Sequence, residues 1–161
     1  MTSIRLRSIH PHDDVFLHTL MNHPEIMARL HQPPTSLADW EEAIQLWRSD
    51  PDEKGFIVLC DEQPIGWFAI NSLLSPERLP YIKMAVLLPE YQNQGIGRRV
   101  LVRLCEILHA EGYPAVRLYT DQDNLMAQRC YRQSGFRIIN AMEEPWPDGS
   151  TLLRYEMAKE L

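Results

Sequence analysis

The segment Pro-Glu-Tyr-Gln-Asn-Gln-Gly-Ile-Gly-Arg-Arg, from Pro89 to Arg99, lies between an extended apolar run and an amphipathic stretch. Tyr81 to Leu88 has the aliphatic content of a buried strand, while Val100, Leu101, Leu104, Ile107 and Leu108 recur at helical spacing. A strand must therefore give way to a helix within a few polar residues, and the first helical turn is expected on Gln94 to Arg98. The N–H groups of a first turn have no partner inside the helix and carry the positive end of its dipole. Because Gly95 and Gly97 lack side chains, an anionic group can approach that backbone closely. The turn is suited to a phosphate, and Arg98 and Arg99 add charge.

The rest of the chain limits what such a turn can serve. With 161 residues, 45% of them hydrophobic and 24% charged, one globular domain over 1–161 with a single core is expected. No apolar run approaches the roughly 18 residues that span a bilayer, so no membrane partner is expected. The N-terminal Met-Thr-Ser-Ile-Arg-Leu-Arg alternates like a first strand and lacks the apolar core of a signal peptide, which points to the cytoplasm. Cys60, Cys105 and Cys130 have neither disulfide nor zinc spacing and read as reduced core thiols. His10, His12 and the other histidines show no metal spacing either, so no metal site is expected. A formal charge of −6 argues against nucleic acid, which needs a concentrated basic face. The arginines gather instead after the glycines (Arg98, Arg99, Arg103) and near the later Arg117, Arg129 and Arg132, a distribution suited to a ligand with several phosphates.

Pattern along the chain predicts a mixed α/β order. Ile4 to Ile9 alternates as a half-buried strand, and Asp13 to His31 reads as helix, restarted at Pro24. Ser36-Leu-Ala-Asp39 resembles a capped start of a helix through Arg48, with Trp40, Ile44 and Trp47 on one face. Phe56–Cys60 and Ile65–Ile70 form a hairpin about Asp-Glu-Gln, and Asn71 to Leu79 is a loop. After the helix that ends near Glu111, strands are expected at Ala115–Thr120, Phe136–Ala141 and Leu152–Met157, with a helix at Leu125–Ser134 and a loop through Pro145-Trp-Pro-Asp-Gly. Seven strands and four or five helices in this order imply one mixed sheet with helices on both faces.

A second motif joins the glycine turn. After Val116–Thr120 the chain reads Asn-x-x-Ala-x-x-x-Tyr-x-x-x-Gly-Phe from Asn124, about thirty residues beyond Gln-x-x-Gly-x-Gly. This pair of motifs resembles the GCN5-related N-acetyltransferase superfamily, most strongly over residues 81–137. The resemblance implies a sheet in which Met84–Leu88 and Val116–Thr120 are parallel neighbours that splay apart, with a β-bulge near Ala85 or Val86 beginning the divergence. It implies acetyl-CoA as co-substrate, its pantetheine amides bonded to the backbone of Val86 and Leu87. Its pyrophosphate would be cradled by Gln92, Asn93, Gln94, Gly95, Ile96, Gly97 and Arg98. Asn124 would cap its helix and contact the pantetheine arm. The N–H of Leu87 would stabilise the oxyanion, and Tyr131 would be the general acid towards the departing thiolate.

The acceptor is less legible. The resemblance implies transfer to a primary amine, whereas relatives acting on protein N-terminal alanine carry Glu where this chain has Tyr119. Glu90, Asp121 and His109 are the candidates for relaying a proton outward. Trp40, Trp47, Asp39, Glu41 and Glu42, with Glu143, Glu144, Trp146 and Asp148 in the last loop, would suit a small cationic amine. A peptide or protein amine, or a non-catalytic acyl-CoA-binding domain, are the alternatives. A homodimer is among the states the sequence allows.

Overall fold

Short-range chemistry sets the elements of the N-terminal half. The computed structural model describes residues 2–145 and 149–161. Strand β1 (Ile4–Ser8) leads through a 3-10 turn at Pro11–Asp13 into helices α1 (Asp14–Met21), α2 (Pro24–Leu30) and α3 (Leu37–Arg48). Pro24 restarts the helix as expected, because its fixed φ suits a first helical position and its missing N–H would be unpaired there anyway. At α3 the Ser36 hydroxyl accepts from the Asp39 N–H at 3.1 Å, and the Asp39 carboxylate accepts from the Ser36 N–H at 3.3 Å.

Strands β2 (Lys54–Cys60) and β3 (Gln63–Asn71) form the expected hairpin. Asp61 and Glu62 make a two-residue turn with φ of 48° and 67°, so β3 starts at Gln63, two residues earlier than the sequence suggested. β4 (Tyr81–Leu87) then leads through a 3-10 turn at Pro89–Tyr91 to α4 (Ile96–Ala110). β5 (Ala115–Asp121), α5 (Leu125–Gln133), β6 (Arg137–Pro145) and β7 (Thr151–Glu160) complete the described elements.

The seven strands make one sheet in the order β1-β2-β3-β4-β5-β7-β6, and among the described residues only β4 and β5 are parallel. Helices cover both faces. Leu104 and Leu108 of α4 and Tyr131 of α5 pack with Val116, Leu118 and Met157 on one face. On the other, Leu17 and Leu20 of α1, Ile26 of α2 and Ile44 of α3 pack on Ile57, Trp67 and Val86. This second core stops at β4. Burial alternates along β5, with Val116, Leu118 and Thr120 buried, so Arg117, Tyr119 and Asp121 occupy the face where that second core has ended.

Three expectations need correction. The bulge lies at Lys83 rather than near Ala85 or Val86, because Ile82 pairs with Ile70 and Met84 with Ala69, leaving one extra residue on β4. Helix α4 begins at Ile96 with Gly95 as its N-cap, so Gln94 precedes the helix. Glu143 and Glu144 belong to β6, which pairs with β7 as far as Pro145↔Thr151 and is not a loop there. Trp146 and Asp148 lie outside the described residues.

Candidate active site

The sheet opens where the parallel pair ends. β4 and β5 are in register only at Tyr81↔Arg117 and Ile82↔Leu118, and the Lys83 bulge follows immediately. An extra residue bends its strand, so β4 turns away from β5 from that point on. On the other side of β4 the contact with β3 is tight. A Cβ at Gly66 would lie 2.5 Å from the Val86 carbonyl oxygen and 2.6 Å from a Leu87 methyl, so only glycine fits. The Val86 carbonyl is thereby directed towards β3. The Leu88 N–H also points that way, donating to the Ile65 carbonyl at 2.8 Å. Since successive residues of a strand direct their backbone groups to alternate sides, the N–H and carbonyl of Leu87 face the gap. Of the two residues whose backbone was expected to serve pantetheine, Leu87 is the one with both groups so placed.

A cavity of about 740 Å³ occupies this opening. Val86, Leu87, Gln92, Asn93, Gly95, Gly97, Arg98, Asn124 and Tyr131 all line it. Gln94 and Ile96 do not. The Gln94 side-chain amide donates to the Glu90 carbonyl at 2.7 Å, and Ile96 is buried in the core, where its side chain anchors the start of α4. Asn93 and Gly95 have φ of 59° and 79°, which sets the loop's approach to the helix. The first bond of α4 is donated by Arg99 to the Gly95 carbonyl at 3.2 Å, and the N–H groups of Ile96, Gly97 and Arg98 have no backbone partner among the described residues. Arg29, Arg98 and Arg129 line the cavity, and among the described residues no Asp or Glu does, so its electrostatics favour an anion.

The two glycines differ in what they do. Open space surrounds the position of a Cβ at Gly95, whose φ demands glycine, whereas a Cβ at Gly97 would meet Cys130 Sγ at 3.4 Å and a Leu87 methyl at 3.8 Å. Gly97 therefore also lets α4 lie close to α5. Asn124 caps α5 by accepting from the Ala127 N–H at 3.2 Å, leaving its amide N–H groups for a ligand. Tyr131 is buried against Phe136, with ring centroids 6.1 Å apart. Burial pushes its phenol well above the usual value near 10, with smaller contributions from Cys130 and Tyr81, so it stays protonated at any working pH. The Cys130 thiol is likewise pushed up by burial, against weaker opposing effects of Ser134 and Arg98.

Across the gap, the other face of the sheet is charged and aromatic. Tyr81 and Tyr119 meet edge to face at 5.1 Å, and the Arg154 guanidinium lies 5.3 Å from the Tyr119 ring. Arg154 pairs with Glu144 at 3.1 Å and with Asp121 at 3.8 Å. Of the three candidates for a proton relay, Asp121 stands at this end of β5, while Glu90 and His109 are exposed and line neither the cavity nor this face. One ligand atom each from His31, Asp121 and Asp123 lies within 4.8 Å of the others, a grouping that linear spacing could not show. Tyr119 pairs with Glu156 of β7, which brings a carboxylate beside the position where the sequence lacks one.

Arg29 is the charged cavity residue that sequence reasoning missed. It belongs to α2, 63 positions before Gln92 of the glycine turn, and only the spacing Ile26, Arg29, Leu30 hints that one face of α2 is shared by apolar and basic residues.

The model of the acetyltransferase (GNAT) family matches residues 16–136. The chain belongs to the GNAT acetyltransferase family. Among curated GNAT relatives, the mycothiol acetyltransferase of Streptomyces griseus subsp. griseus is 33% identical over 85 residues, which cover 53% of this chain and 28% of that protein. The ribosomal protein bS18-alanine N-acetyltransferase of Haemophilus ducreyi is 36% identical over 64 residues, 38% of this chain and 44% of that protein. The chain thus spans less than half the length of either relative. Among solved structures, the spermidine N-acetyltransferase of Vibrio cholerae in complex with CoA and spermine has a TM-score of 0.87 at 22% identity, covering 98% of this chain and 95% of that one. An acetyltransferase from Thermus thermophilus has a TM-score of 0.79 at 21% identity, covering 99% and 97%. These likenesses establish the GNAT fold.

Proposed function

We propose that this GNAT chain, acting as one domain over 1–161, transfers the acetyl group of acetyl-CoA to a primary amine, with a small cationic amine as the preferred acceptor. The observation that carries the reading is the cavity at the β4–β5 opening, where free N–H groups and three arginines converge without a carboxylate among the described residues. That chemistry matches a ligand whose polar end is a pyrophosphate, and the CoA-bound spermidine acetyltransferase of Vibrio cholerae has the same fold. Gln92 to Arg98 would hold the pyrophosphate through backbone amides, Leu87 and Asn124 the pantetheine arm. Three unpaired cysteines suit a reducing cytoplasm.

In the transfer, the amine nitrogen attacks the thioester carbonyl carbon. The new C–N bond forms as the C–S bond breaks, and the Leu87 N–H donates to the carbonyl oxygen as its charge grows. Tyr131 then faces the departing sulfur. Its phenol is a weaker acid than a thiol of pKa about 8.5, so complete proton transfer to a thiolate is uphill. Donation of a hydrogen bond is the role its burial favours, with the sulfur's proton ultimately derived from the amine through water.

For the acceptor, the carboxylates Asp121, Glu144 and Glu156 outnumber Arg117 and Arg154 on the open face and, beside Tyr81 and Tyr119, favour a cation. The end of the second helix core at β4 gives a peptide acceptor the second place, since an extended chain could lie on that face. A panel of polyamines, aminoglycosides, neutral amines and N-terminal peptides, incubated with acetyl-CoA and read by thiol release, tests both. Polyamine turnover above all others is expected. Preference for peptides would replace the acceptor, and acetyl-CoA binding without turnover on any amine would leave only an acyl-CoA-binding domain.

A further inference from the structure

Arg29 reaches the cavity from α2, a seven-residue helix on the opposite side of the sheet from α4 and α5. Its Nη1 donates to Gln92 Oε1 at 2.7 Å, and the same nitrogen lies 3.8 Å from Met126 Sδ on α5. Gln92 Nε2 in turn donates to the Leu87 carbonyl at 2.8 Å. A chain of two hydrogen bonds thus runs from α2 to the gap-facing peptide group of β4.

The direction of that chain is dictated by chemistry. A side-chain amide can present either its oxygen or its nitrogen to a neighbour, but a guanidinium only donates and a carbonyl only accepts. Arg29 therefore obliges Gln92 to turn its oxygen towards α2 and its NH₂ towards Leu87. The peptide group held this way is fixed from both sides, since its N–H, that of Leu88, donates to Ile65 at 2.8 Å. It adjoins the Leu87 N–H, which the proposed reaction places against the carbonyl oxygen. We propose that Arg29 is a positioning residue for acetyl transfer, acting through Gln92 to fix the orientation of the Leu87–Leu88 peptide at the open end of β4. The inference rests on the acetyl-CoA reading for its kinetic consequence, and on the hydrogen bonds alone for its structural one.

A positional role and a simple charge for a phosphate have different signatures. If Arg29 acts through Gln92, Arg29→Met and Gln92→Met disable the same device, and the double variant is no worse than the more affected single variant. Each single variant should lower kcat about tenfold, and Gln92→Met, which keeps all three arginines of the cavity, should change the acetyl-CoA Kd less than about threefold. Gln92→Glu sharpens the test, because a carboxylate keeps the contact to Arg29 but cannot donate to Leu87, and it should lose as much kcat as Gln92→Met. Independent losses that multiply to about a hundredfold in the double variant, or a loss confined to Kd, would overturn the relay and leave Arg29 as a phosphate contact.

Amide hydrogen exchange at Leu88 gives a readout that needs no turnover. Both single variants should exchange faster than wild type at that amide while Leu104 and Leu108 of α4 keep their protection. Unchanged protection at Leu88 in Arg29→Met would sink the inference even if acetyl-CoA is turned over. Faster exchange in a protein that acetylates no amine would uphold the relay and reject the transfer reading instead.

Discussion

The two sides of the β4–β5 opening are built from opposite materials. The proposed donor side is a contiguous turn, Gln92 to Arg98, which offers backbone N–H donors and the Arg98 guanidinium. The proposed acceptor side is a half-buried sheet face in which Tyr81, Tyr119, Asp121, Glu144, Arg154 and Glu156 come from four strands and carry both signs of charge. Backbone recognition tolerates variation in the side chains around it, whereas a side-chain constellation changes with each substitution. The proposed donor groove is thereby built to tolerate substitution, and the proposed acceptor face to change with it.

The largest expected effect tests whether the chemistry belongs to the seam between the two sides. Tyr131→Phe preserves the packing on Phe136 and removes only the hydroxyl, so kcat should fall by about 10²-fold while the acetyl-CoA Kd hardly moves. Steady-state kinetics with calorimetry decides it; kcat within twofold of wild type would make Tyr131 a packing residue. Next comes the donor turn. In Gly97→Val the branches beyond Cβ crowd Cys130 and Leu87 and shift the start of α4, so the acetyl-CoA Kd should rise about tenfold with the circular dichroism spectrum retained. An unchanged Kd in the folded variant would separate this glycine from phosphate binding.

Smaller effects probe the acceptor face. For a polyamine acceptor at saturating acetyl-CoA, kcat/KM should fall about threefold between low and physiological salt, and Glu144→Gln with Glu156→Gln should flatten that dependence. A slope indifferent to both carboxylates would place charge selection elsewhere. The smallest effect concerns stability. Burial raises the Asp121 carboxyl above its ordinary value, with Asp123 and Glu144 adding to this and Arg154 and His31 opposing it. The native state then holds that proton to higher pH than the unfolded chain, so stability declines as pH rises from the unfolded pKa through the folded one. Asp121→Asn should raise Tm by about 1–2 °C at pH 7, an advantage that vanishes below about pH 4. A lower Tm at pH 7 would mean that the Arg154 pair outweighs burial.

Legibility in the sequence follows the same division. The strand, glycine turn and helix of β4–α4 could be read because they are adjacent in the chain, and local rules of capping and periodicity also gave α3, the α2 restart and the β2–β3 hairpin. The bulge at Lys83 was misplaced by two or three residues, since register depends on β3 pairing across the sheet and nothing within Tyr-Ile-Lys-Met-Ala-Val marks the extra residue. β6 was expected to stop at Ala141, yet pairing with β7 carries Glu143 and Glu144 onward as strand in spite of their weak intrinsic preference. Arg29 could not be assigned, because its contact with Gln92 spans 63 positions and α2 by itself reads as an ordinary short helix. Trp146 and Asp148 lie outside the described residues.

Gly66 has a reach beyond its size. It sits on β3 and does not line the cavity, yet one added methyl group there would press on the Val86 carbonyl from behind. The two strands can sit this close only while that spot stays empty, and the gap on the far side of β4 takes its width from how close they sit. The groove is thus calibrated from the back of the sheet, and a single methyl group at a position that does not line it would shift its wall.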